Sequence, residues 1–201
     1  KSSVEADGPE HEVVILCHVD DPLIMTQSEE DEDWTHSMIE GEFDTKGRRH
    51  LKKDSVIDFL SMRLSLDQEG EVCVDNQDKI EAFLEQEGLG QCNPTALPIT
   101  EAIVKAIAEG REELYEAEEK QRFQAHVGQF RWLADTTHPT LSVAASVLGS
   151  FTSKPGKGCL EATRHVFRWL QGAKKQCLKR LDGYLAGLYV ASDSDLAGLY
   201  Q

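Results

Sequence analysis

The sequence predicts an α+β fold, with strands gathered in the first 75 residues and helices after them. Two observations support this. Two segments, around residues 13–25 and 60–74, set apolar and β-branched residues on either side of turn-forming ones, as hairpins do. Beyond the proline-containing stretch 92–100, apolar residues recur instead at helical spacing.

Residues 1–10 are polar and read as an acidic, flexible tail. Val13, Val14, Ile15, Leu16 and Val19, then Leu23 and Ile24, flank Asp20, Asp21 and Pro22, which gives strand, tight turn, strand. Asp tolerates turn geometry, and Pro is accepted at the first position of a strand. Ser28, followed by Glu29, Glu30 and Asp31, starts a helix whose apolar stripe is Trp34 and Met38, one turn apart. Leu60, Met62, Leu64 and Leu66 alternate with Ser61, Arg63 and Ser65 before Asp67-Gln68-Glu69-Gly70 turns the chain; Val72 and Val74 then resume the period of two. Asn76 caps a short helix with Ile80, Phe83 and Leu84 inward, ended by Gly88 or Gly90. Phe123, Val127, Phe130 and Leu133 share one helical face that stops before Pro139. Residues 141–151 and 159–170 are two further helices across the loop Lys154-Pro155-Gly156-Lys157-Gly158, and Gly172 closes the second. Leu188-Tyr189-Val190 forms a strand leading into Asp193-Ser194-Asp195.

At 201 residues and 40% hydrophobic content the chain is long enough for one or two globular units with a core. It has no run of 18 apolar residues, and its first residues lack the apolar stretch of a signal peptide, so the expectation is a soluble, intracellular protein with no membrane partner. The five cysteines are odd in number and form no CxxC pair, which points to free thiols rather than a disulfide framework or a zinc site. The histidines form no HExxH, there is no phosphate-cradling glycine loop after a strand, and no Gly-x-Ser-x-Gly elbow is present.

The net charge of −15 argues against nucleic-acid binding, which needs Lys and Arg on phosphate. That average hides a division. Residues 1–120 hold 11 Lys and Arg against 31 Asp and Glu, whereas residues 121–201 hold 10 against 5. Within the basic part, Lys154, Lys157, Arg164, Arg168, Lys174 and Lys175 offer a surface that reads either as a phosphate-facing patch or as a solvated helix face.

Asp20 and Asp21 carry the chemistry. Polymerase sites hold divalent cations with fixed, hard carboxylate oxygens, and adjacent Asp residues at a hairpin tip supply two. Ionised neighbours repel, which favours a cation beside them. Taken alone, so short a motif also reads as a hydrophilic turn.

The order of features after the pair resembles one family. His18-Val19-Asp20-Asp21 is similar to the tyrosine-valine-aspartate-aspartate box of reverse transcriptases. Asp58-Phe59-Leu60-Ser61-Met62 resembles the "YFLG" hairpin of copia-type retrotransposon polyproteins, the part that grips the primer. From Gln121, QRFQAHVGQFRWLADTTHP resembles their "YRSLVGSLMYLA…TRPD" helix. Residues 141–172, with Phe151, Pro155, Ala162, Arg164, Val166, Arg168, Leu170 and Gly172, resemble "SRFM…NPT…AAKRVLRYLKGT", and 192–198 resemble "SDADWAG" at the opening of the ribonuclease H domain. The four matches that follow the box stand in order, and with it they cover roughly residues 11–198. The sequence departs from the pattern at His18 for tyrosine, Pro22 after the pair, Ser61 for the hairpin glycine, and His138-Pro139-Thr140 for Arg-Pro-Asp.

The resemblance implies an incomplete polymerase palm with two β-hairpins over 11–75, a helical thumb and connection over 76–182, and the first strand of a ribonuclease H-like sheet over 183–201. It implies that Asp20 and Asp21 are catalytic and bind magnesium, that Phe59, Leu60, Ser61 and Met62 form the primer grip, and that the basic residues face template-primer backbone. Asp193 and Asp195 would be a ribonuclease H remnant. The family places its third polymerase carboxylate and its nucleotide-binding fingers on earlier strands, so a chain starting at Lys1 is expected to bind magnesium weakly and not to polymerise alone. A palm short of strands exposes an unpaired edge, which favours self-association. The alternative is a non-catalytic module derived from a retroelement that binds nucleic acid or protein.

Overall fold

The structure, a computed structural model, describes residues 13–45, 47–110 and 115–179. The expected tail at 1–10, the ribonuclease H strand, and Asp193 and Asp195 lie outside the described residues.

The first hairpin pairs β1 (Val13–His18) with β2 (Asp21–Thr26) as a two-stranded antiparallel sheet, His18 facing Asp21 and Cys17 facing Pro22. The turn is therefore Val19–Asp20, one residue earlier than the sequence suggested, and Pro22 is the second residue of its strand. A two-residue hairpin closes on a hydrogen-bonded pair, so the next pair is non-hydrogen-bonded and Pro22 costs no ladder bond. Helix α1 (Glu29–Glu42) follows, with Ser28 as N-cap accepting from Asp31 N at 3.1 Å. The expected apolar stripe is not buried. Trp34 and Met38 are exposed, and Thr35 is the buried residue of the helix, its hydroxyl donating to Asp31 O.

The second sheet has four strands, β3 (Val56–Phe59), β4 (Met62–Leu66), β5 (Val72–Asp75) and β6 (Leu178–Lys179), antiparallel in that order. The Asp67–Gly70 turn forms as expected. Asp67 Oδ1 accepts from Glu69 N and Glu71 N at 2.9 Å, and Gly70 takes φ +89°. Alternation had assigned Leu60 to a strand, but Leu60 and Ser61 form a two-residue turn between β3 and β4 with φ of +51° and +65°. Positive φ at both central residues is a type I′ signature, which favours Asn-Gly. Ser61→Gly is therefore expected to raise the unfolding free energy by about 0.5–1 kcal/mol, measured by urea titration.

Helices fill the rest: α2 (Gln77–Gln86), α3 (Glu101–Glu109), α4 (Ala117–Thr136), a 3₁₀ turn (Pro139–Leu141), α5 (Ser142–Gly149) and α6 (Cys159–Ala173). The predicted face of α4 is buried throughout, with Phe123, Phe130 and Leu133 fully so. It packs on α5 and on α6, whose Val166, Phe167 and Leu170 complete the core with Ile80 and Leu84 of α2. Phe130 and Phe167 meet edge-to-face with centroids 4.8 Å apart, an arrangement worth about 0.5–1.5 kcal/mol beyond area burial. Gly88 ends α2 with φ +67°. Gly172 does not end α6, which continues to Ala173; an added Cβ there would lie 3.0 Å from Pro94 Cβ. The residue serves close packing rather than termination.

Candidate functional site

The acid pair and the tip of the second hairpin share one cleft. A cavity of about 500 Å³ is lined by Asp21 from β2, by Asp58, Leu60, Ser61 and Arg63 around the β3–β4 turn, and by Asn76, Asp78 and Lys79 at the start of α2. Asp20 and Asp21 are both exposed. Between them and β1, Val19 holds φ +55° while 87% exposed. A β-branched residue in that region is strained by about 1–3 kcal/mol, so the tight turn that displays the two carboxylates is held against its local preference.

Of the predicted residues, the cleft gathers Asp21, Leu60 and Ser61. Asp20 sits on the turn beside it. Phe59 is 8% exposed and packs inward, and Met62 is half-buried, so these two hold the hairpin rather than line the cleft. Four lining residues escaped the sequence reading. Asp58 and Arg63 face each other across β3 and β4, a pairing that follows once the turn is placed at Leu60–Ser61. Arg63 also ion-pairs with Asp78 at 2.7 Å and Asp75 at 3.4 Å. Asp78 and Lys79 belong to the first turn of α2 and carry no local signal of a site.

Asn76 fixes the hairpin tip to the helices. It is 1% exposed, and its side-chain amide lies 2.9 Å from both Thr136 Oγ1 and Thr137 Oγ1. With its nitrogen toward the two carbonyls, it donates to Ser61 O at 3.0 Å and Asp75 O at 3.2 Å. It does not cap α2 through its side chain; Asp75 Oδ1 accepts from Gln77 N instead, at 2.9 Å. The chain of polar contacts continues through Thr137 Oγ1 to His138 Nδ1 at 2.8 Å, and His138 Nε2 reaches Ala173 O at 3.2 Å. Burial pushes the His138 pKa down, so the ring is held neutral, with Nε2–H donating to Ala173 O.

The two adjacent carboxylates suit a hard cation only in part. Two ligands leave most of a magnesium coordination sphere to be filled by substrate, water or other carboxylates. Among the described residues no three His, Cys, Asp or Glu side chains converge on a metal position.

The basic residues are dispersed. Lys154 and Lys157 flank the loop before α6, Arg164 and Arg168 lie on its outer face, and Lys175 follows it, all five exposed. Arg168 Nε donates to Asn93 O at 2.9 Å, and half-buried Lys174 pairs with Glu81 at 3.4 Å, so these two also fasten neighbouring segments to α6. None of the six lines the cleft.

One arrangement resembles a hydrolase triad but is a core contact. Thr163 Oγ1 lies 2.9 Å from His126 Nδ1, and His126 Nε2 lies 3.0 Å from Glu87 Oε1. Thr163 is fully buried, beyond the reach of any substrate. Burial would raise the Glu87 pKa, but the Arg122 hydrogen bond and the neighbouring His126 outweigh it and hold the carboxyl low. Burial lowers His126.

Over 195 residues, 97% of this chain, the sequence is 24% identical to a Saccharomyces cerevisiae protein named for transposon Ty5-1. The chain spans 59% of that relative's length. The likeness supports a retrotransposon origin. No protein-family model and no solved structure matches the chain. No helix among the described residues is long and apolar enough to cross a membrane.

Proposed function

We propose that the chain is part of a retroelement reverse transcriptase, an RNA-directed DNA polymerase, with residues 11–75 from its palm and 76–182 from its thumb and connection. The observation that carries this reading is the shared cleft: Asp21 of the acid pair and the Leu60–Ser61 tip, residues far apart in sequence, line one cavity. In this reading Asp20 and Asp21 hold magnesium, which when bound supplies activation of the primer hydroxyl and charge neutralisation on the leaving phosphate. The hairpin tip positions the primer end, and Asn76 keeps that tip in register with the helices. The likeness to a transposon protein agrees with the class.

Magnesium at millimolar concentration is expected to raise the unfolding temperature of the wild type by about 2–5 °C and to leave Asp20→Asn and Asp21→Asn unchanged. Calcium and magnesium titrations followed by calorimetry check this. Equal response, or none, in wild type and both variants removes the catalytic role from the pair.

The exposed cations Lys154, Lys157, Arg164 and Lys175 favour a second reading, a non-catalytic nucleic-acid-binding module. Duplex binding that is strongly salt-dependent and indifferent to magnesium and to Asp20→Asn supports it over the first.

A further inference from the structure

Two free thiols lie on one face at the edge of the four-stranded sheet. Cys73 of β5 faces Lys179, and Val74 faces Leu178. Continuing that register puts Cys177 opposite Asp75, on the same face as Cys73 and diagonal to it. Burial and, after it, the neighbouring Cys177 group raise the pKa of the Cys73 thiol. Both cysteines are free, Cys73 buried and Cys177 half-buried. We propose that Cys73 and Cys177 are a site of reversible oxidation, closing to an intramolecular disulfide by exchange with a low-molecular-weight disulfide such as oxidised glutathione.

Exposure sets the order of steps. The Cys177 thiolate attacks one sulfur of the small disulfide, forming a mixed disulfide and expelling the other half as a thiolate. Cys73 then gives its proton to solvent and attacks Cys177 Sγ, and the second small thiolate leaves. Two electrons pass from the protein to the small disulfide, which departs as two thiols with the two protons. Burial and the Cys177 neighbour push the Cys73 thiol up to about 11, so the second step is slow near neutrality and quickens about tenfold per pH unit below that value.

Diagonal neighbours in a regular ladder stand about 7–8 Å apart at Cα, slightly beyond the roughly 4.4–6.8 Å of a disulfide. The paired residues of β6 begin at Leu178, after Cys177. No ladder pairing therefore restrains Cys177 from the approach of about 1 Å that closure needs. The resulting ring runs from β5 through every helix of the core to β6, which restricts the unfolded chain and raises the unfolding temperature by roughly 5–10 °C.

The test is to incubate the full chain with oxidised glutathione at mildly alkaline pH, block remaining thiols with N-ethylmaleimide, and map the peptides by mass. The expected product links the peptides of Cys73 and Cys177, forms faster as pH rises, and melts at a higher temperature that dithiothreitol reverses. Cys177→Ser is expected to show neither the link nor the shift. Glutathione retained on Cys177 with Cys73 alkylated, or Cys73 joined to a different cysteine, overturns the proposal.

Discussion

Asn76→Ala is expected to lower the unfolding free energy by about 3 kcal/mol, the larger part of it from buried groups left without partners. The side chain is 1% exposed, lies 2.9 Å from two threonine hydroxyls at the α4 C-terminus and donates to two backbone carbonyls, one of them at the Leu60–Ser61 turn. Alanine leaves the carbonyls of Ser61 and Asp75 buried with nothing to accept from, and also opens a small void. Urea titration with an unchanged m-value checks the magnitude; a loss below about 1 kcal/mol would mean that water replaces these bonds. The same variant frees the hairpin tip from the helices. In the reading proposed here, template-primer affinity falls along with stability.

Acid is expected to unfold the protein well above the pH at which carboxylates titrate. His138 is buried with its pKa lowered by burial, and His126 is shifted the same way by the same cause. For a group whose folded pKa is depressed, the unfolded chain binds more protons below the ordinary histidine value of about 6.5, so stability is full above that pH and is lost as pH falls. Each such histidine removes up to about 1.4 kcal/mol per pH unit. His126 contributes less than His138, because Glu87 at 3.0 Å favours its protonated form. Below about pH 6.5 the loss deepens as pH falls, at no more than that slope for each histidine. Stability measured by urea at several pH values gives the slope, and His138→Gln is expected to flatten it. A profile level from about pH 7 to 5 would show that folding leaves the His138 pKa at its unfolded value.

The helical half was largely legible in the sequence, for a specific reason. Phe123, Val127, Phe130 and Leu133 are large, regularly spaced, and buried on one side only, so the 3.6-residue period survives in the sequence. Helix α3 lacked such a set of aromatic anchors and was passed over within a region read only as helical. The strand half was legible in outline, with the Asp67–Gly70 turn in its place and the turns at Val19–Asp20 and Leu60–Ser61 missed. Leu60 fits the alternation of its neighbours, and periodicity cannot tell an apolar turn residue from a strand residue without the turn geometry. Strand β6 has two residues and no period at all. Trp34 and Met38 stand one helical turn apart as a buried pair should, yet the structure leaves them outside.

The candidate site was half legible. Asp21, Leu60 and Ser61 were singled out from motifs and do meet; Arg63, Asp58 and Lys79 were not, because what recommends them is proximity across strands and to a helix start. Asn76 stands at the N-cap position of α2 as expected, but its side chain makes no capping bond. Its residue type suits a cap, and only the tertiary arrangement of Thr136 and Thr137 shows where its amide is used.

The β1–β2 hairpin differs from the rest of the molecule in what holds it. Val14, Ile15, Leu16 and Met25 are each about half exposed, and its main packing partner is α1, whose own Trp34 and Met38 face outward. Isolated two-stranded hairpins are marginal in water. Opening this hairpin therefore costs far less free energy than opening α4 or α6, and its amides exchange with solvent hydrogen through local fluctuations rather than global unfolding. The carboxylates of Asp20 and Asp21 thus ride on the least protected segment, and a ligand that orders them must supply that ordering from its own binding energy. Affinity at the pair is then a measure of how rigid the hairpin already is.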